Sequence, residues 1–250
     1  MNRLVRAELY RIGHSGIFLR MIILFFLVVF VFPLLLDFEL LDKTLADNRE
    51  SIMMGIFICM MFLPALVSIF VAYGYMKRTA YYEVMAGSKS SHIIGSRLLT
   101  EGFFLGTVYF FAVIGLGLVA AIKNGVGGVA DLGLRLLMLF SVCLHLTVIG
   151  TLIGMTIKNY VACLVAYARF AGLDMMISAI LLPVLQMKGI LGETACQRFQ
   201  YCMINTQIET VCRSTEVSAE AVLFCVVSFF AEAIAWYVLV YVTMKKKWYK

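Results

Sequence analysis

"LLMLFSVCLHLTVIGTLIGMTI", residues 136–157, contains no Asp, Glu, Lys or Arg and a single histidine, His145. As a helix rising ~1.5 Å per residue, such a block can cross the ~30 Å of hydrocarbon in a bilayer. Five further blocks read the same way, at about 17–36, 51–76, 102–122, 160–187 and 219–244. They account for a chain of 250 residues that is 62% hydrophobic, with a mean hydropathy of +0.94. Only 14% of its residues are charged, against roughly 25% in soluble domains. The expected fold is an all-α integral membrane protein of six transmembrane helices, forming one domain over residues 1–250.

The first block follows Arg3, Arg6 and Arg11, which invites a signal-peptide reading. Its basic leader is long, Arg20 interrupts its start, and only the weak "TLA" at 44–46 offers a cleavage site, so it is read as a span. Charge then sets orientation. The segments on one side hold thirteen cations, among them Arg20, Lys77, Arg78, Lys89, Arg97 and Lys158, against three acids, Glu8, Glu83 and Glu101. The other side holds seven cations and ten acids, five of these in "DFELLDKTLADNRE", residues 37–50. The excess of Lys and Arg places both termini in the cytoplasm. The net charge of +6 therefore reports topology and attraction to anionic membrane lipid, and no nucleic-acid surface is expected.

"NRLVRAELYRIGHSG", residues 2–16, places Val5, Leu9 and Ile12 on one side of a helical wheel and Arg3, Arg6 and His14 opposite. It reads as an interfacial elbow helix over 1–16, ended by Gly13 or Gly16, or as a plain basic flank. Pro33, Pro64 and Pro183 all fall within spans, as kinks or hinges that membrane helices tolerate.

Four polar residues lie at membrane depth: His145, Arg169, Asp174 and Glu232. A charge at the centre of a span costs about 2.5–3.5 kcal/mol on insertion scales, so these groups must face protein or water and neutralise one another. Arg169 and Asp174 are five residues apart, ~140° around an α-helix, which makes a direct pair awkward. Arg169 with Glu232 across two helices is the better expectation. The group either lines a transport path or proton relay, or pins helices together. "GTLIG", with Gly150 and Gly154, offers a small-residue face for close helix contact, expected inside the bundle.

"MAGSKSSH", residues 85–92, resembles the end of a phosphate-binding loop but fails the test. Gly87 is followed by Ser88 where a lysine is required, and Tyr82 stands where the first glycine should be. His14, His92 and His145 are far apart, and there is no His-Glu-x-x-His or Gly-x-Ser-x-Gly, so no enzyme is expected. Cys59, Cys143, Cys163 and Cys225 lie in apolar blocks. Cys196, Cys202 and Cys212 share the outer segment 188–218, where at most one disulfide can form; no metal spacing is present.

Residues 77–101, "KRTAYYEVMAGSKSSHIIGSRLLTE", form the long cytoplasmic loop. It reads as a short helix ended by Gly87, then a second helix capped by Ser90 or Ser91 and leading into the third span. Tyr81, Tyr82, Glu83, Val84 and Met85 would face the cytoplasm, suited to a groove on a partner or else lying on the chain's own bundle.

With its elbow helix, this coupling segment with Arg97 in "GSR", the tight "KN" turn at 158–159 and the outer segment 188–218, the chain resembles the permease subunits of ABC-2 type (type V) bacterial ABC exporters. The resemblance covers nearly the whole chain as architecture, and Glu101 departs from the basic residue often found there. The compact length looks most like the lantibiotic and bacitracin self-protection permeases. The resemblance implies a bacterial plasma-membrane exporter subunit that binds no cofactor itself. ATP and magnesium would sit on a separate cytoplasmic ATPase, which would meet the chain at Tyr81, Tyr82, Glu83, Val84, Met85 and Arg97. A second permease chain, identical or different, would complete the path for a hydrophobic or amphipathic substrate, with a peptide antibiotic as one candidate. Two rival readings remain: an ion- or proton-coupled carrier running on Arg169, Asp174 and Glu232, and a non-transporting membrane sensor or scaffold.

Overall fold

The computed structural model describes residues 2–27, 31, 35, 49–76, 83–125, 131–214 and 216–248. These residues are helical, with no strand among them. In order they form α1 (Asn2–Gly13), α2 (Gly16–Phe26), α3 (Arg49–Met76), α4 (Ser90–Arg97), α5 (Leu105–Asn124) and α6 (Leu132–Ile157). There follow α7 (Val161–Tyr167), α8 (Asp174–Met176), α9 (Leu182–Met187), α10 (Glu193–Cys202), α11 (Ile204–Arg213) and α12 (Ala219–Trp248). Three π-helical segments, Leu98–Phe104, Ala168–Leu173 and Ile177–Leu181, join α4 to α5, α7 to α8 and α8 to α9 without breaking the rod.

Among the described residues, four runs are long and apolar enough to cross a membrane: Ser90–Gly115, Leu132–Ile157, Val161–Met187 and Ala219–Lys246. Within α3, Phe62–Gly74 forms a shorter apolar stretch. Most of the expected first span beyond α2, including Pro33, lies outside the described residues. Pro64 sits within an unbroken α3.

The most buried rod is α6: 78% of its apolar window lies inside the protein, against 18% for Val161–Met187 and 17% for α12. The bundle is thus wrapped around α6, with α3, α5, α12 and the π segment after α4 against it. Gly150 and Gly154 explain how close α3 comes. A Cβ at Gly150 would stand 2.8 Å from the Pro64 carbonyl oxygen, and one at Gly154 would stand 2.9 Å from that of Ser68. The "GTLIG" face therefore serves internal packing, as expected of small residues in membrane helices. At the C-terminal end of α6 Lys158 adopts a left-handed conformation, φ 59°, and donates its backbone N–H to the Gly154 carbonyl, which closes the helix. The Asn159 side chain accepts the Val161 N–H at 2.9 Å and starts α7.

Where the outer segment was expected, α10 and α11 meet at Met203. Ile204, Ile208 and Val211 of α11 are buried in the main core, so this helix packs among α3, α6 and α12 and does not lie on the surface. Arg135 of α6 holds its far end, donating to the Val211 carbonyl at 2.9 Å and the Ser214 carbonyl at 2.6 Å. A buried guanidinium on two carbonyls is a charge-assisted cap, each such bond being worth about 1.5–3 kcal/mol. Replacing Arg135 with methionine should lower thermal stability by at least one such bond. It should also expose the backbone of 208–214 to proteolysis before the rest of the chain.

Candidate functional site

Two clusters of ionisable side chains organise the molecule. The first sits where α1, the helical turn 83–85, α4 and the following π segment meet. Arg97 is fully buried and is its hub. Its Nη2 lies 2.9 Å from Glu8 and 3.4 Å from Glu83, and its Nη1 lies 3.4 Å from Glu101. Arg11 completes the ring, with Nε 2.7 Å from Glu8 and Nη2 against Glu101. Gly74 of α3 leaves the room: a Cβ there would stand 2.9 Å from an Arg11 nitrogen and 3.4 Å from one of Arg97. The cluster thus joins α1 to the start of the long run Ser90–Gly115 and to the segment before it.

Local sequence explains each placement. Glu8 and Arg11 are three apart and share a face of α1. Arg97 and Glu101 are four apart, at the junction of α4 and the π segment. The turn at Glu83 is fixed by its own ending: Ser88 N–H donates to the Glu83 carbonyl at 3.1 Å and Gly87 N–H to the Val84 carbonyl at 2.9 Å. With Gly87 at φ 78° this is a Schellman ending, which a residue with a Cβ would adopt only at a cost.

Electrostatics separate the carboxyls outside the spans. At Glu83 burial pushes the carboxyl up to about 7 against the pull of Arg97, and the charge of Glu8 adds to the rise. At Glu8 burial also pushes upward, but the Arg97 and Arg11 guanidiniums overcome it and hold the carboxyl below its usual range. The opposite directions follow from distance. Glu8 has two guanidinium nitrogens within 3 Å, while Glu83 has one at 3.4 Å.

Several expectations change here. Arg97 cannot be a surface contact for a partner, because it is enclosed by carboxylates. Glu83 is half-buried and turned inward to Arg97, where the sequence suggested display to the cytoplasm. Val84 packs against the main core, whereas Met85 is 68% exposed. Tyr81 and Tyr82 lie outside the described residues. The elbow's inward face is Leu4, Glu8 and Ile12, and Leu9 is exposed. The bonds to Arg97 and Arg11 turn Glu8 inward, which a purely apolar wheel cannot foresee. Ser90 is the first residue of α4 and does not cap it; Lys89 is the extended N-cap and gives no side-chain cap bond.

The second cluster lies among the long apolar helices. Glu232 of α12 lies 3.1 Å from His145 Nε2 of α6 and 3.3 Å from Arg169 Nη2, and accepts the Trp236 indole N–H at 3.4 Å. Arg169 also pairs directly with Asp174. That corrects the expectation of an awkward pair, and backbone geometry is the reason. Arg169 lies in the π segment Ala168–Leu173, where i→i+5 bonding widens the turn and brings residues five apart closer to one face than the ~140° of an α-helix. Asp174 in turn accepts the backbone N–H of Ile204 at 3.1 Å, so it caps α11 from another helix. Asn205 donates to the Phe170 carbonyl within the same π segment at 3.0 Å. One chain of polar contacts therefore runs from α6 through α12 and the π segment to the start of α11.

Glu8, Arg11 and Asn205 were not singled out by motif. Cys196 is a buried free thiol pointing at the Leu182 carbonyl, and Cys202 is free as well. The side chain of Cys212 lies outside the described residues. Among the described residues no three His, Cys, Asp or Glu side chains are grouped to hold a metal ion. Compared with protein-family models, characterised proteins and solved structures, the chain has no significant match to any of them.

Proposed function

We propose that the chain is the membrane-spanning permease subunit of an ATP-driven ABC-2 type exporter, with six spans and both termini in the cytoplasm. The observation that carries this reading is the clamp at Arg97. A short helical turn ended by Gly87 presents an exposed Met85 while Glu83 is tied through Arg97 to α1 and to the long run that begins at Ser90. A push on that segment by an ATPase closing around ATP and magnesium would reach the long helix through the contact of Glu83 with the buried Arg97. The helix α11, lodged among the long helices, suits the outer end of an export path in a bacterial plasma membrane. A second permease chain would complete that path.

Extraction in mild detergent tests the reading. The tagged chain should bring down a stoichiometric ATPase, and Met85→Glu should remove most of it while leaving the permease folded, since Met85 is exposed. A folded permease that carries no ATPase would sink the proposal. The polar chain from His145 to Asp174 supports a second reading, an ion-coupled carrier. It predicts uptake or efflux driven by an ion gradient alone in proteoliposomes, abolished by Glu232→Gln.

A further inference from the structure

The cluster at Arg97 holds three carboxylates, Glu8, Glu83 and Glu101, and two guanidiniums, Arg11 and Arg97. Fully ionised, these five groups carry one negative charge in excess. Glu8, Glu101 and Arg97 are all buried, and Glu83 and Arg11 keep only 18% and 20% of their side chains in contact with solvent. Excess charge in so dry a site is costly, and binding one proton removes it.

We propose that Glu83 is a proton-operated latch: protonated, it holds the 83–89 segment against α1 and α4; ionised, it releases the segment toward the cytoplasm. Glu83 is the carboxyl to take the proton because it is the one partly open to water and lies 3.4 Å from a guanidinium, whereas Glu8 and Glu101 each have a shorter such contact. Glu8 and Glu101 each engage both guanidiniums. The groups facing Glu83 are Glu8 and Arg11 from α1, Arg97 from α4 and Glu101 from the π segment; α3 contributes Gly74, which has no side chain. Lys245 and Lys246 of α12, which packs on α4, are exposed, as are Lys89 and His92. Lys77 and Arg78 lie outside the described residues.

The direction of the effect follows from the rise in the Glu83 carboxyl. A group that binds its proton more tightly when docked favours the docked state at low pH, and that preference fades as pH rises through about 7. Release would present Met85 differently to any partner, so the latch would tie that encounter to cytoplasmic pH. The latch belongs to this chain alone, and its test does not depend on an ATPase being present.

Hydrogen exchange on the full chain in detergent micelles reads it directly, with labelling times scaled for the intrinsic pH dependence of exchange. The Gly87 and Ser88 amides, both bonded into the Schellman ending, should lose at least tenfold of their protection between pH 6 and pH 8. Glu83→Gln should keep protection at both pH values. Glu101→Gln should also abolish the pH dependence, because the remaining two carboxylates then match the two guanidiniums and Glu83 can stay docked while ionised. If Glu83→Gln does not fold, Glu101→Gln decides alone. Equal protection of the wild-type chain at both pH values, or a pH-dependent loss that survives in either variant, overturns the proposal.

Discussion

Arg97→Ala should destabilise the protein by about 3–5 kcal/mol, the usual cost of removing one partner from a buried ionic cluster. The side chain is fully buried and bonds to three carboxylates. Its loss leaves Glu8, Glu83 and Glu101 facing Arg11 alone. Thermal unfolding in detergent should register a large drop, accompanied by early proteolysis between α1 and α3, since α1 loses its main tie to α4. Arg97→Lys should recover only part of the loss, because an ammonium cannot present two forked nitrogens to carboxylates on opposite sides. Adding Glu101→Gln to Arg97→Ala should restore some stability by removing one unmatched charge. If Arg97→Ala unfolds like the wild-type chain, the cluster contributes little and the clamp argument fails with it.

The second large effect is steric. Gly150→Leu and Gly154→Leu should each cost at least the roughly 1–3 kcal/mol typical of overpacking, and more here because the obstacle is backbone. A single Cβ at either position already comes within 3 Å of a carbonyl oxygen of α3. Neither α3 nor α6 can yield locally, as Val67, Val71, Ile149 and Ile153 are buried on both sides of the seam. The double variant should fail to give a monodisperse particle. Gly133→Ala, in the same helix but with nothing within 4 Å of the added Cβ, should be neutral or stabilising by up to about 1 kcal/mol. Comparable losses at Gly133 and Gly150 would show that helix propensity, and not the α3–α6 contact, governs this region.

Much of the candidate site was legible once the sign of charge was read against its surroundings. Glu8, Glu83 and Glu101 are the three acids on the basic side of the chain, and all three converge on Arg97 and Arg11. An acid within a segment selected for Lys and Arg is a signal in itself, but the sequence gives no indication that three such acids, 75 and 18 residues apart, share one site. That depends on how α1 folds back onto α4. The role of Arg97 was misjudged for the same reason, since a basic residue at a helix entrance reads as a surface group until its neighbours are known.

The cluster among the long apolar helices divides in the same way. His145, Arg169, Asp174 and Glu232 stood out because charge is expensive in hydrocarbon. Which of them touch was a question of backbone geometry. Regular α-helical spacing separates Arg169 from Asp174, and the π segment Ala168–Leu173 brings them together.

What the sequence by itself determined is the solvent this protein is built for. Long blocks without charge and a lopsided distribution of Lys and Arg follow from hydration energies, which depend on composition and order along the chain. Gly87 as a helix end and "KN" as a tight turn were equally local, set by conformations available to one or two residues. The tertiary structure alone decided that α6 is the axis of the bundle, that α11 lies buried among the long helices, and that five charges from four elements form one ring. Those outcomes rest on contacts between residues distant in sequence, where the energy lies in desolvation and close approach that no local pattern encodes.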